Sequence, residues 1–473
     1  MIDINNCFVV IKADTLTVHI ISVVKSLLVS AIFVRPKEIP TTLPKIFAGD
    51  HLTSRQFHRW KLVTTKTNMA ALEHVAVVAE ATNKFALDLH KFLANRDQYA
   101  NDNLFYSPAS LLIAFAMTCY GARGNTAAEI MEILHVASVS SPDLNKSMKK
   151  FIDSLNKTSD KNNKLLTANR LFVQKGFEIL KTYKKGTSEF YDAKLAQVDY
   201  IRNVEKARGK INRWVEKKTN DNIKNLIPPS GMLSADTRLI LVNAIYFKSF
   251  WLSKFRHHNT FSGSFFVSQN EEIKVNMMYQ EADFKYFESQ ELACQVLEMP
   301  YIGRKMSMVI YLPKEINDLA KLEEQMTYDN LEKSFSLLDA SMGKVEVHLP
   351  KFKLTQQFDL NDILSKMGAE EMFIPGKADL SGITAEPLFV SKVVHKAFVE
   401  VNEEGTEAAA ATAIGMRFAC MPLPKPVFKA DHPFLYLIRH NDSGAILFLG
   451  RLVRPTQTMQ NTTADPFCTD TRF

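Results

Sequence analysis

Cysteine is scarce in this chain of 473 residues, which carries five: Cys7, Cys119, Cys294, Cys420 and Cys468. An odd and widely spaced set builds no disulfide framework, and without a Cys-x-x-Cys it offers neither a zinc nor a redox pair. Gly-x-Ser-x-Gly, His-Glu-x-x-His and the two common glycine-rich phosphate cradles are all missing. The usual signals of hydrolases, zinc peptidases and nucleotide enzymes are therefore absent. No motif calls for a metal or a cofactor, and the chain does not read as an enzyme. Of twelve scattered histidines only His257 and His258 adjoin, in a polar stretch. Positive charge is in slight excess, 58 Lys and Arg against 51 Asp and Glu. A net +7 over this length is too dilute for a dedicated nucleic-acid binder. Hydrophobic residues at 46% and charged residues at 23% are ordinary globular proportions, which excludes wholesale disorder and a fibrous repeat.

The two ends read differently from the middle. Residues 15–34 are mostly apolar but contain His19 and Lys25. A spanning helix needs about 20 apolar residues, and a central lysine costs roughly 2.5–3.5 kcal/mol on insertion. Val29-Ser30-Ala31 reads as a small-residue cleavage site. Residues 1–68 are thus a leader: a signal or anchor, an unstructured extension, or an over-extended start ahead of Met69-Ala70-Ala71. Residues 456–473 are a polar tail expected to lack fixed structure.

Between them the pattern is regular. Phe85, Leu89, Phe92 and Leu93 recur at helical spacing. Residues 238–247 are a nearly continuous apolar run, as in a strand buried on both faces. Val345, Val347 and Leu349 alternate, as in a half-buried strand. Residues 445–450 form another buried strand. Helices come early and strands late, without steady βαβ alternation, which predicts an α+β class. No linker or repeat interrupts residues 69–455, so they are expected to form one large domain.

Residues 403–419 stand apart. They read Glu-Glu-Gly-Thr-Glu, four alanines, then Thr-Ala-Ile-Gly-Met-Arg-Phe-Ala, and a proline-rich stretch begins at Pro422. Alanine content allows a short helix or a linker. As a strand, Thr406, Ala408, Ala410, Thr412 and Ile414 share one face, and none is charged. The opposite face holds Glu407, Ala409, Ala411, Ala413 and Gly415. No proline falls between Gly405 and Ala419, so every backbone N–H is free for a ladder. Gly405 stands where the chain must turn.

At this point residues 80–455 resemble the serpin family. The blocks that carry the resemblance begin with residues 103–110 (Asn-Leu-Phe-Tyr-Ser-Pro-Ala-Ser) and 121–126 (Gly-Ala-Arg-Gly-Asn-Thr). They continue with 241–248 (Leu-Val-Asn-Ala-Ile-Tyr-Phe-Lys), 348–352 (His-Leu-Pro-Lys-Phe), 378–382 (Ala-Asp-Leu-Ser-Gly) and 428–438, the last containing Asp431-His432-Pro433. The wording of the loop and of the last block is closest to the ovalbumin-like, often intracellular, branch. One departure is Ser249, where the family often has glycine. The resemblance implies a serpin fold: three β-sheets, about nine helices and an exposed reactive-centre loop.

It also implies a suicide-substrate inhibitor of serine endopeptidases, with cysteine proteases as further targets. A protease attacks the loop, and the cut loop inserts into the central sheet as a new strand. About 15 residues at roughly 3.3 Å each would carry the protease on the order of 50 Å. Glu403, Gly405, Thr406, Glu407, Ala408, Ala409, Ala410 and Ala411 form the hinge. Small inward residues there favour insertion, and so inhibition, over the alternative of a non-inhibitory chaperone, carrier or storage serpin. Counting along the family pattern puts the reactive bond at Ala419–Cys420, with Phe418 and Arg417 as alternatives. Ala419 suits an elastase-like target, Phe418 a chymotrypsin-like one and Arg417 a trypsin-like one. Ser107, Ser110, Asn243 and His395 match a cluster that controls sheet opening. Trp251, Lys351 and Glu403 match one where insertion starts. None is catalytic.

Lys146, Lys149, Lys150 and Lys157 crowd an expected helix at 142–157, where some relatives bind glycosaminoglycans. The sequons at Asn145, Asn156, Asn441 and Asn461 matter only in a secreted chain. The leader and sequons allow secretion, whereas Cys420 and the branch resemblance suit the cytoplasm. A monomer is expected.

Overall fold

The computed structural model describes residues 54–159, 163–229, 231–404 and 425–455, with side chains from Glu73 onward. The chain divides into two units, residues 1–65 and residues 66–473. Of the former, the described part is the start of a helix. Nine α-helices occur among the described residues. In chain order the first half holds α1 (Ser54–Ala94), β1 (Leu104–Tyr106), α2 (Pro108–Gly121), α3 (Gly124–Ile133) and α4 (Ser141–Asn156). It continues with β2 (Asn163–Gln174), α5 (Lys181–Tyr191), β3 (Ala196–Val198), α6 (Val204–Lys218) and β4 (Leu239–Ser249). Then follow β5 (Phe261–Ser268), β6 (Glu271–Ser289), β7 (Cys294–Pro300), β8 (Met306–Pro313), α7 (Leu319–Gln325) and α8 (Tyr328–Asp339). The chain continues through β9 (Gly343–Pro350), β10 (Phe352–Asp359), α9 (Asn361–Met367) and β11 (Val390–Val401), and ends in β12 (Val427–Lys429), β13 (Phe434–His440) and β14 (Ile446–Leu452).

The strands form two hydrogen-bonded networks. One is five-stranded, in the order β10-β11-β4-β2-β3. The other has nine strands, and its long strand β6 belongs to two sheets at once. One half of β6 pairs with β9 (Met277 opposite Pro350), the other with β7 (Ser289 opposite Cys294). Two of the three expected sheets are thus continuous through one strand.

Local sequence explains the main elements. Leu239–Phe247 of β4 is buried at every position, as its apolar run requires. It lies centrally, with β2 antiparallel on one side and β11 parallel on the other. Phe85, Leu89 and Leu93 of α1 are fully buried, but Phe92 is 38% exposed. It sits at the rim of the apolar stripe, one helical step outside the face that packs. Helix α1 also begins at Ser54, ahead of Met69, where the sequence places the start of the domain. Ser107 caps α2 by accepting from the Ser110 N–H at 3.2 Å, and Pro108 occupies the first turn. Gly450 lets β14 lie tight against β1, because a Cβ there would come within 2.5 Å of the Leu104 carbonyl oxygen.

Candidate functional site

The pair β4 and β11 is the seam of the five-stranded sheet. The two strands run parallel, with Asn243 opposite His395. The same row continues to Asn169 on β2, opposite Asn243, and to Phe358 on β10, opposite His395. Four adjacent strands therefore place Phe358, His395, Asn243 and Asn169 side by side. Phe358 stacks on the His395 ring, centroids 6.2 Å apart and planes 12° apart.

The start of α2 docks beneath this row. The Asn243 side-chain amide donates to the Ser110 carbonyl at 2.8 Å, and its nitrogen lies 2.7 Å from both Ser110 Oγ and Asn169 Oδ1. Ser110 Oγ donates to Asn169 Oδ1 at 3.1 Å. His395 Nδ1 bonds to Asn243 Oδ1, and the backbone N–H of Ser107 donates to His395 Nε2 at 3.1 Å. Ser107 Oγ donates to the Leu447 carbonyl on β14 at 2.6 Å.

This pattern fixes the histidine. Ser107 N–H needs an acceptor, so Nε2 carries no proton and Nδ1 carries it. A second proton would set two donors against each other. Burial pushes the His395 pKa down to about 3, against a smaller opposing contribution from the Asn243 bond. The sequence-expected residues Ser107, Ser110, Asn243 and His395 thus lie in one contiguous, fully buried and uncharged network. Asn169 belongs to it too and was missed, since only strand register reveals it.

A second cluster occupies the end of the seam. Trp251 follows β4 and stacks on Tyr301 with centroids 4.5 Å apart. Its indole N–H donates to the Asn402 carbonyl at 3.0 Å, and its backbone N–H to the Glu404 carbonyl at 3.0 Å. Lys351, between β9 and β10, pairs with Glu403 at 2.8 Å, and Thr260 Oγ1 donates to the same carboxylate at 2.8 Å. Burial alone would raise the Glu403 pKa, but the bonds from Lys351 and Thr260 outweigh it and hold the carboxyl below its ordinary value. The exposed His257 stands 3.6 Å away. Trp251, Lys351 and Glu403 therefore come together, with Thr260, Tyr301 and Asn402 as partners that sequence reading did not find.

The remaining loop positions, Gly405, Thr406, Glu407, Ala408, Ala409, Ala410, Ala411, Arg417, Phe418, Ala419 and Cys420, lie outside the described residues, as does Asn461. Of the other sequence features, Ser249 is buried and its hydroxyl bonds to Asn163 Oδ1, tying β4 to β2. Asn145 is buried and accepts from the Tyr191 hydroxyl at 2.6 Å, so its sequon is not open to glycosylation in this fold. On α4, Lys146 and Lys149 pair with Asp143 and Asp153 of the same helix. Among the described residues no group of three His, Cys, Asp or Glu could hold a metal ion, and no helix is long and apolar enough to cross a membrane.

A family profile described as Serpin (serine protease inhibitor) matches residues 80–455. Serpin B6 of Macaca fascicularis is 42% identical over 380 residues, covering 80% of this chain and all of the relative. Leukocyte elastase inhibitor of Homo sapiens is 43% identical over 386 residues, covering 80% of this chain and 99% of the relative. The crystal structure of uncleaved ovalbumin superposes with a TM-score of 0.71 at 30% identity, covering 80% of this chain and 100% of that one. The chain belongs to the serpin family.

Proposed function

We propose that the protein is a suicide-substrate inhibitor of serine endopeptidases. The observation that carries this is the parallel pairing of β4 and β11. The loop leaves the end of β11, so a chain that turns back between the two strands runs antiparallel to both. One parallel pairing, the slightly weaker kind per residue, is exchanged for two antiparallel ones. The five-stranded state is then metastable, held by the seam clusters and the uncut loop. Cleavage frees the loop to insert and to drag the acylated protease with it.

The hinge must pass between Asn243 and His395 with side chains that fit. Thr406 and Ala408 to Ala411 are small, and Gly405 permits the turn. An elastase-like target is favoured by Ala419 as the residue before the scissile bond, and by the similarity to a leukocyte elastase inhibitor. Phe418 and Arg417 define the chymotrypsin-like and trypsin-like alternatives. A monomer suffices for every step. A glycosaminoglycan partner at Lys146 to Lys157 draws little support, because Lys146 and Lys149 are already paired within α4.

The test is to mix the protein with elastase, chymotrypsin and trypsin in turn. Each mixture is run on a denaturing gel, and the released C-terminal peptide is weighed. A denaturant-resistant complex with elastase and a cut after Ala419 are expected. Clipping without a complex, and without a rise in thermal stability, would sink the reading. Thr406→Arg should convert the inhibitor into a substrate by putting a charge on the inserting face. Its readout is the number of inhibitor molecules consumed per protease trapped.

A further inference from the structure

Loop insertion makes no use of a cavity of about 530 Å³ beside β2, walled by α4, α5 and α6. Its charged lining is Arg170 on β2, Lys194 after α5 and Lys218 at the end of α6, with Asp192 as the one acid. Arg170 lies 4.3 Å from the Trp214 ring centroid and 5.9 Å from that of Phe172. Both Arg170 Nε and Trp214 Nε1 are shielded from solvent without a hydrogen-bond partner. Among the described residues, no ion pair joins Arg170, Lys194 or Lys218 to a carboxylate.

A desolvated guanidinium is costly unless paired, and stacking on an indole offsets only part of that cost. Arg170 is half-buried with its Nε shielded, and that burial lowers its pKa. The lining is rich in donors and has a surplus of two positive charges. The ligand that can accept from an arginine, an indole and two lysines together is an oxyanion. The volume falls within the roughly 300–1,000 Å³ of small-molecule pockets.

We propose that this cavity binds a small oxyanion, a phosphate or sulfate ester, through Arg170, Trp214, Lys194 and Lys218. Occupancy also reaches the seam. Asn169 lines the same cavity next to Arg170, and its Oδ1 takes the bonds from Ser110 and Asn243. A ligand that bridges β2 to α6 favours the closed five-stranded sheet and slows insertion. That consequence rests on the inhibitor reading, whereas binding itself does not.

The test is calorimetric titration of the uncleaved full chain with inorganic tripolyphosphate and, separately, with a sulfated tetrasaccharide, at low and high salt. Saturable single-site binding that weakens with salt is expected. Affinity should fall about tenfold or more in R170Q and in the double variant K194Q/K218Q. The two lysines are exposed, so the double variant tests the site even if R170Q fails to fold. Which probe binds tells a phosphate oxyanion from a sulfate one. No saturable binding of either, or unchanged affinity in the lysine variant, overturns the proposal. Protease trapping is then timed with the bound anion present. Slower insertion supports the link to the seam, and an unchanged rate with binding intact overturns that link. If no protease is trapped at all, the inhibitor reading fails while the binding result stands.

Discussion

The two clusters on the seam hold the same pair of strands by opposite physics. At mid-seam, His395, Asn243, Ser107 and Ser110 form a buried neutral network, with the half-buried Asn169 at its edge. At its end, the buried Glu403 carboxylate pairs with Lys351, which is 34% exposed. Buried neutral bonds are costly to break because each orphaned group stays dry. The pair at the end is wetted from the lysine side only, so water replaces part of what Lys351 loses, while the buried Glu403 carboxylate keeps a cost. The seam is therefore weak where the loop enters and strong where it must be stopped from opening unprompted. That gradient suits a sheet that opens from the end only after cleavage.

The largest expected effect is at mid-seam. Asn243→Ala removes the acceptor of His395 and the donor to Ser110, and leaves Asn169 short of a partner. We expect a loss of about 3–4 kcal/mol from the uncleaved protein, read as a lower urea midpoint. A loss below about 1 kcal/mol would erase the contrast between the clusters.

Acid sharpens the contrast. The ordinary histidine value is 6.5, and His395 is held near 3 by burial. Between these values the unfolded chain binds the extra proton, so stability falls as pH falls, by up to about 1.4 kcal/mol per pH unit. Glu403 behaves differently. Its carboxyl lies below the ordinary 4.5, so its contribution is present at higher pH and is lost only as pH drops through its folded value. From pH 6.5 to 5 the slope belongs to mid-seam, a loss of about 2 kcal/mol. His348 and His440, also lowered by burial, add a background that H395Q would leave behind. Urea midpoints against pH for the two proteins give the difference, and identical slopes would contradict a neutral His395.

Glu403→Gln comes next. It discharges the pair with Lys351 and keeps the shape. About 1–2 kcal/mol is expected, toward the lower end because Lys351 is solvated. Faster loop insertion after cleavage should accompany it, read by stopped-flow fluorescence.

Much of this was legible in the sequence. The apolar run at 239–247 announced a central strand. The resemblance to the serpins named Ser107, Ser110, Asn243 and His395 together. Asn169 was not legible, because strand register is a property of pairing and not of one segment. The cavity was hidden for the same reason, since Arg170, Lys194, Trp214 and Lys218 come from separate elements. Asn145 shows the converse failure: its sequon is plain in the sequence, yet packing against Tyr191 closes it. Phe92 lay one step beyond what helical spacing alone resolves.

The smallest expected effect isolates one bond at the end of the seam. Trp251→Phe deletes the indole N–H that donates to the Asn402 carbonyl but leaves an aromatic ring to stack on Tyr301. The backbone bond from residue 251 to the Glu404 carbonyl also survives, because it needs no side chain. Asn402 is half-buried, so water can replace the lost donor. About 1 kcal/mol or less should be lost. Trp251→Ala removes the stack as well and should cost about 3 kcal/mol or more. If the phenylalanine variant lost as much as the alanine one, the indole bond would be the main restraint on the loop entrance. The end of the seam would then resemble the middle, and the gradient from weak to strong would have to be abandoned.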